Sequence, residues 1–131
     1  MTRLLCISFT GLLRELSEGA LRPEELEHAL FYFGCIREHA MAPGASGESD
    51  ERNYFKGGHE AHAALVPILQ RAEAEGRVAW RERGERSSYQ TLNGLLERNG
   101  LKRLPEAPSQ YSYVGVVHDM AEANPDVRVV A

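Results

Sequence analysis

The sequence predicts a mostly helical α+β domain, and three observations support this prediction. Apolar residues recur at helical spacing over long stretches of the chain. Three short runs instead have the β-branched and aromatic composition of strands, at 77–82, 111–118 and 127–130. Glycine and proline separate these stretches at intervals that suit helices and strands. We therefore expect helices packed on a small sheet of two to three strands.

Length and composition bound the class of protein. The chain has 131 residues, which suits a single globular domain over 1–131. Its 43% hydrophobic and 26% charged residues are typical of a folded protein rather than a disordered one. The net charge of −4 argues against broad coating of nucleic acid. Residues 77–103, however, carry seven Lys/Arg against three Asp/Glu, a local net charge of +4.

The cysteines and the apolar runs bear on location. Cys6 and Cys35 both lie in apolar stripes, which predicts two buried thiols. A disulfide between them would need an oxidising compartment. No apolar run approaches the roughly 18 residues that a membrane span needs, and the first residues do not form a cleavable signal. We expect a cytoplasmic protein with no membrane partner.

The N-terminal third predicts a helical hairpin. Residues 3–18 place five apolar side chains on one helical face, and Gly19 suits a helix stop. A strand over 4–9 stays open as the alternative, and it would shift the fold toward α/β. Residues 23–41 predict a buried central helix, because Pro23 suits a first helical position and the middle is apolar almost all round.

A polar segment at 42–58 interrupts the helical pattern. It is rich in glycine, serine and charge, and it is long for a connection inside a compact domain. The sequence does not distinguish a lid, an interface and a disordered loop. As an interface, it would offer a charged and aromatic group of side chains: Asp50, Glu51, Arg52, Tyr54 and Phe55.

The remaining elements follow in order. Residues 59–75 predict a helix that contains Pro67, and residues 77–82 alternate as a half-buried strand does. Residues 87–99 predict a helix that ends at a glycine stop. The run at 111–118 is the strongest strand pattern in the chain, and 127–130 predicts a last edge strand.

Two groups of histidines are candidates for chemistry. His59 and His62 are spaced i, i+3 on a helix and are weak metal candidates, since zinc wants three or four ligands and no HExxH pattern is present. Two solvated residues near a helix start are the simpler interpretation of this pair. His118 and Asp119 end the predicted strand, where a general base would fit. Neighbours on a strand point to opposite faces, so we expect no contact between them and a capping role for Asp119.

Motifs for nucleophilic or nucleotide chemistry are missing. The sequence contains no G-x-S-x-G, Walker A or G-x-G-x-x-G pattern. We therefore assign no catalytic, cofactor-binding or metal-binding residue, expect no cofactor, and lean against an enzyme.

The basic segment 81–103 offers a nucleic-acid alternative. Its order of capped helix, basic loop and strand resembles the recognition helix and wing of winged-helix proteins over about a quarter of the chain. It departs from that pattern at VAWRERG, which has a strand pattern where the preceding helix should lie. An ordinary core helix with a solvated basic face is the competing interpretation. The interface residues would be Arg81, Arg83, Arg86, Gln90, Asn93, Arg98, Lys102 and Arg103.

Three function classes follow. The first is a small non-enzymatic regulatory protein that binds another protein, such as an inhibitor, adaptor or immunity-type protein. The second is a winged-helix-like regulator that binds nucleic acid through 81–103. The third is a small metal- or histidine-dependent hydrolase. The identity of the partner and the oligomeric state stay open.

Overall fold

The computed structural model describes residues 2–34, 37–42, 58–80, 89–105 and 113–131. Within these ranges, the chain forms four strands and five helices. The predicted mixture of helices and strands is therefore confirmed, but the sheet is larger than expected.

The four strands form one sheet in which every pair is parallel. They are β1 (Arg3–Cys6), β2 (Leu30–Phe33), β3 (Val78–Trp80) and β4 (Val127–Val130). Their order is β3-β2-β1-β4, so the chain moves outward from β1 to β2 and β3 and then returns to the other side of β1. This is a doubly wound α/β arrangement rather than the α+β fold with two to three strands that we expected. The edge strand at 127–130 is confirmed, and β3 lies inside the predicted strand 77–82.

Helices cover both faces of the sheet. They are α1 (Phe9–Ser17), α2 (Arg37–Met41), α3 (Gly58–Ala74), α4 (Tyr89–Arg98) and α5 (Tyr113–Ala123). Residues of α1 and α3 pack on one face, and residues of α4 and α5 pack on the other. The helices predicted at 59–75 and 87–99 are confirmed as α3 and α4.

Strand side chains alternate between these two cores. Leu4 and Cys6 of β1 pack on the α1–α3 side, whereas Leu5 packs on the α4–α5 side. In β2, Phe31 and Phe33 belong to the first core and Leu30 and Tyr32 to the second, and all four are fully buried. The sheet is therefore covered on both faces, as parallel sheets usually are.

The predicted central helix over 23–41 is wrong. This segment forms a 3₁₀ turn (Pro23–Leu26), then β2, then α2. The apolar middle misled the prediction, because a strand buried on both faces has the same continuous apolar run as a buried helix. Phe33 is buried, as expected, but it lies in a strand.

The predicted N-terminal helical hairpin is also wrong, and the strand alternative for this region is the better description. β1 occupies Arg3–Cys6, and α1 begins at Phe9 after Ser8, whose hydroxyl oxygen accepts the Gly11 N–H at 3.0 Å. The helix stop at Gly19 is confirmed, since this residue has φ 74° and the Leu21 N–H reaches the Glu15 carbonyl oxygen at 3.2 Å.

The strand predicted at 111–118 is wrong as well. The chain is helical from Tyr113 to Ala123, and α5 buries Val116 and Met120, which are four residues apart, against the sheet. The strand prediction rested on β-branched and aromatic propensity, which tertiary packing readily overrides.

Glu73 of α3 ties the edge strand β3 to the rest of the fold. Its carboxylate accepts the Trp80 indole N–H at 2.9 Å and two guanidinium N–H groups of Arg37 at 2.7 and 3.0 Å. The hydrogen bond from Arg37 holds the pKa of Glu73 below its usual range. These bonds join α2, α3 and β3 on one side of the sheet.

The two sequence predictions on thiols and membranes have different outcomes. Cys6 is a buried free thiol, and burial raises its pKa well above the usual range. Cys35 lies outside the described residues, so the prediction for it stays a prediction. No helix in the described ranges is long and apolar enough to cross a membrane.

Candidate functional site

The exposed side of α5 is the surface of greatest interest. The inner side of this helix faces the sheet through Val116 and Met120. At 3.6 residues per turn, the remaining side chains project over the opposite half of the helix. We refer to the exposed residues there as the α5 outer surface: Tyr113, Val114, Val117, His118, Ala121 and Glu122.

An apolar stripe runs along this surface. Tyr113, Val114 and Val117 are the exposed large apolar residues of the described part of the chain, at 43%, 80% and 40% exposure. Single exposed apolar residues are ordinary on a protein surface, but three on adjacent turns of one helix form a continuous patch. Neighbouring exposed apolar side chains are the feature that contact surfaces share.

A polar cluster borders the stripe. His118 Nδ1 lies 3.2 Å from Asp119 Oδ1, and His118 Nε2 lies 3.6 Å from Glu122 Oε1. The prediction that His118 and Asp119 do not touch is therefore wrong, because the two residues are neighbours on a helix and not on a strand. Asp119 lies inside α5 and does not cap it.

Tyr89, the first residue of α4, supports this cluster from a second element. Its hydroxyl donates to Asp119 Oδ2 at 3.3 Å. Burial raises the pKa of Tyr89 above its usual range, and the charge and hydrogen bond of Asp119 raise it further. The phenol therefore stays protonated near neutral pH and donates to a fixed carboxylate oxygen.

The crevice where doubly wound sheets usually bind ligands lies between the carboxyl ends of β1 and β4. In this chain, the backbone of Gly11 lies directly against the carbonyl group of Ala131. The Arg14 guanidinium donates to the same carbonyl oxygen at 3.4 Å. The start of α1 therefore lies close to Ala131, the residue that follows β4, at this end of the sheet.

Of the predicted histidine pair, the structure describes the side chain of His62. His62 is buried at 3% exposure, and its Nε2 donates to the Ala40 carbonyl oxygen at 2.7 Å. Its ring also packs edge-on against Phe9. The side chain of His59 lies outside the described residues. His62 is thus a buried, hydrogen-bonded residue rather than a solvated one.

The predicted interface residues divide into two groups. Those of the polar segment and the first part of the basic segment lie outside the described residues: Asp50, Glu51, Arg52, Tyr54, Phe55, Arg81, Arg83 and Arg86. The others belong to α4 or follow it, and all but Asn93 are exposed: Gln90, Asn93, Arg98, Lys102 and Arg103.

Asn93 points into the core instead of toward a groove. Its amide accepts the Leu104 N–H at 2.6 Å and donates to the Leu104 carbonyl oxygen at 3.0 Å. Gln90 and Arg98 lie eight residues apart, near opposite ends of α4, so about 12 Å of helix separates them. Arg103 pairs with Glu97 at 3.2 Å.

The winged-helix resemblance does not extend to the architecture. The segment that would form the strand of the wing is α5, and β3 pairs in parallel with β2 inside the main sheet. Within the described residues, these two segments therefore do not form a wing.

The sequence prediction missed the α5 outer surface. A signal for it existed, since Tyr113, Val116, Val117 and Met120 recur at offsets of three and four, as on a helix. The β-branched run outweighed this spacing.

The chain matches no protein-family profile, no curated protein and no solved structure.

Proposed function

We propose that this protein works by binding another protein through the α5 outer surface. The observation that supports the proposal is the apolar stripe, in which Val114 is 80% exposed. Removing such a stripe from water on binding would be favourable by roughly 25 cal/mol for each Å² of apolar area buried.

The border of the stripe defines the chemistry of the partner. Asp119 and Glu122 lie beside it and carry negative charge, while the described part of α5 contributes no Lys or Arg. A complementary partner therefore presents an apolar surface flanked by basic side chains. The proposal includes a cytoplasmic location, for which the buried free thiol of Cys6 is the support.

The test is affinity capture from the native lysate with wild-type protein and with Val114→Lys. A lysine at this position removes apolar area and repels a basic partner. We expect a stoichiometric protein partner of the wild type that binds Val114→Lys at least about tenfold more weakly, a loss of about 1.4 kcal/mol.

Ala63→Lys is the matched control. Ala63 is exposed on α3, on the other side of the sheet, so this variant adds the same charge away from the α5 outer surface. The proposal fails if Val114→Lys and Ala63→Lys capture the same partner equally well. It also fails if nuclease treatment removes everything that the wild type captures, since nucleic acid would then be the ligand.

A further inference from the structure

We infer that the partner protein presents a basic amphipathic helix, which docks alongside α5 as the next helix of its layer. This inference rests on the proposed function, because it names the kind of partner that the α5 outer surface receives. Three observations support it. They are the place of α5 in the helix layer, the spacing of the exposed apolar side chains along it, and the charge beside them.

The helix α5 lies at the edge of its layer. Among the described elements on this face of the sheet, α4 contacts β2 and β3, whereas α5 contacts β4, which is an edge strand. The neighbour α4 therefore lies on one side of α5, and the Tyr89 hydroxyl bonds Asp119 across this side at 3.3 Å. The opposite side of α5 faces outward beyond the edge strand.

The apolar stripe lies on the side of α5 that faces away from α4. Each residue of a helix turns by about 100°, so Val117 lies about 200° around the helix from Asp119 and on the opposite flank. Val114 and Ala121 lie on the same flank as Val117, closer to solvent. The stripe therefore faces the position in which a further helix of the layer would pack, about 8–10 Å from the axis of α5.

The spacing of the stripe fits a helix as the docked element. Val114, Val117 and Ala121 follow one another at offsets of three and four, along about 10 Å of α5. Rows of side chains at this spacing pack into the grooves of another helix. Ala121 is exposed and small, so it allows the second helix to approach closely.

The charge beside the stripe favours a basic helix. Glu122 follows Ala121 and is 72% exposed, so its carboxylate is accessible to a partner. The helix α5 contains no Lys or Arg, and the whole chain has a net charge of −4. Lys and Arg on the docked helix would be attracted to this surface, whereas Asp and Glu there would be repelled. Their long side chains can lie along apolar surface and still reach a carboxylate at its border.

The experiment maps the contact with a photoreactive phenylalanine derivative at Val114, Val117 or Ala121, in three variants of the full chain. After irradiation in the native cell, mass spectrometry identifies the crosslinked residues of the partner. We expect all three positions to label one segment of one protein, at residues three or four apart, with Lys or Arg among them. Labelled residues two apart, labels scattered over several segments, or a segment without Lys or Arg would overturn the inference.

This inference and the proposed function fail in different ways. If none of the three positions forms an adduct with a protein, the proposed function fails and the inference fails with it. If adducts form but their spacing on the partner is that of a strand, the contact with a partner stands and only the docked helix is wrong.

A charge reversal tests the basic character of the docked helix. Glu122→Lys should lower the yield of the adduct from position 117 at least about threefold, because it replaces attraction by repulsion. Glu60→Lys is the matched control and should leave the yield unchanged, since Glu60 is exposed on α3, on the other side of the sheet. Equal yields from the two variants would overturn the basic character of the partner helix.

Discussion

Buried polar residues hold distant segments of this chain together. In the part of the chain that the structure describes, they are His62, Arg77, Asn93 and Asn124. Each bonds the backbone of another segment; for example, Arg77 donates to the Ala29 carbonyl oxygen at 2.5 Å, and Asn124 bonds both the N–H and the carbonyl of Lys102. Buried polar groups need such partners, because an unpaired group would lose its hydrogen bonds to water.

None of these roles could be predicted from the sequence. The partner of Asn93 is eleven residues away, and that of Arg77 is 48 residues away. A pattern of neighbouring residues carries no information about such pairs. The pattern accordingly predicts that Asn93 belongs to an exposed interface, although it lies in the core.

At the residue scale, we predict that Gly11→Ala destabilises the protein. Alanine is the better helix former by up to about 1 kcal/mol, so propensity alone favours the substitution. A methyl group at Gly11 would, however, overlap the backbone carbonyl of Ala131, which cannot move as a flexible side chain can. We expect a net loss of about 1–3 kcal/mol in urea unfolding, as overpacking usually costs.

Gly94→Ala is the control for this prediction. Gly94 lies inside α4, and a methyl group there would meet only the end of the Arg98 side chain at 3.5 Å. The same substitution should therefore stabilise the protein by up to about 1 kcal/mol. If both variants were stabilised equally, Gly11 would not lie as close to the Ala131 carbonyl as the structure shows.

At the scale of elements, prediction succeeded where periodicity and end signals agreed. In α4, apolar residues recur at helical spacing, and Gly100 with φ 74° follows the helix end at Arg98, so both signals gave the observed helix. It failed at β2 and α5, where composition and periodicity conflict. A buried strand lacks alternation, and a helix with three valines and a tyrosine has the composition of a strand.

A pair of valine substitutions tests whether 113–123 is helical. On a helix, Val114 and Val116 point to opposite sides, whereas on a strand they would share one face. Val116 is fully buried, so Val116→Ala should cost about 2 kcal/mol of unfolding free energy. Val114→Ala should change it by less than about 0.5 kcal/mol. If the two variants lost equal amounts of unfolding free energy, the prediction of a strand in this segment would be correct instead.

At the scale of the whole molecule, the order of the strands in the sheet could not be predicted from the sequence. Neighbouring parallel strands are joined by long crossover connections, so strands that pair can lie far apart in the sequence. Here β1 pairs with β4, which lies more than 100 residues away along the chain. Of the strands, only β3 and β4 have a pattern that predicts a strand first, while the patterns of the central pair β1–β2 favour helices. The expected fold therefore lacked the strands around which the structure is built.

The candidate site was missed because the pattern at 111–118 favours a strand over a helix. With 111–118 predicted as a strand, Val114 and Val116 shared a face and no exposed apolar stripe followed from the pattern. Placing α5 on the outside of a doubly wound sheet separates the buried Val116 and Met120 from the exposed Val114 and Val117. The proposed function depends on this separation.

Site-specific photo-crosslinking in the native cell tests the central proposal, that the α5 outer surface contacts a partner protein. A photoreactive phenylalanine derivative would replace Val114 in one variant and Ala63 in another. Both positions are exposed and lie on opposite sides of the sheet. We predict one discrete, light-dependent protein adduct from position 114 and none from position 63. No adduct from position 114, or the same adducts from both positions, would contradict the proposal.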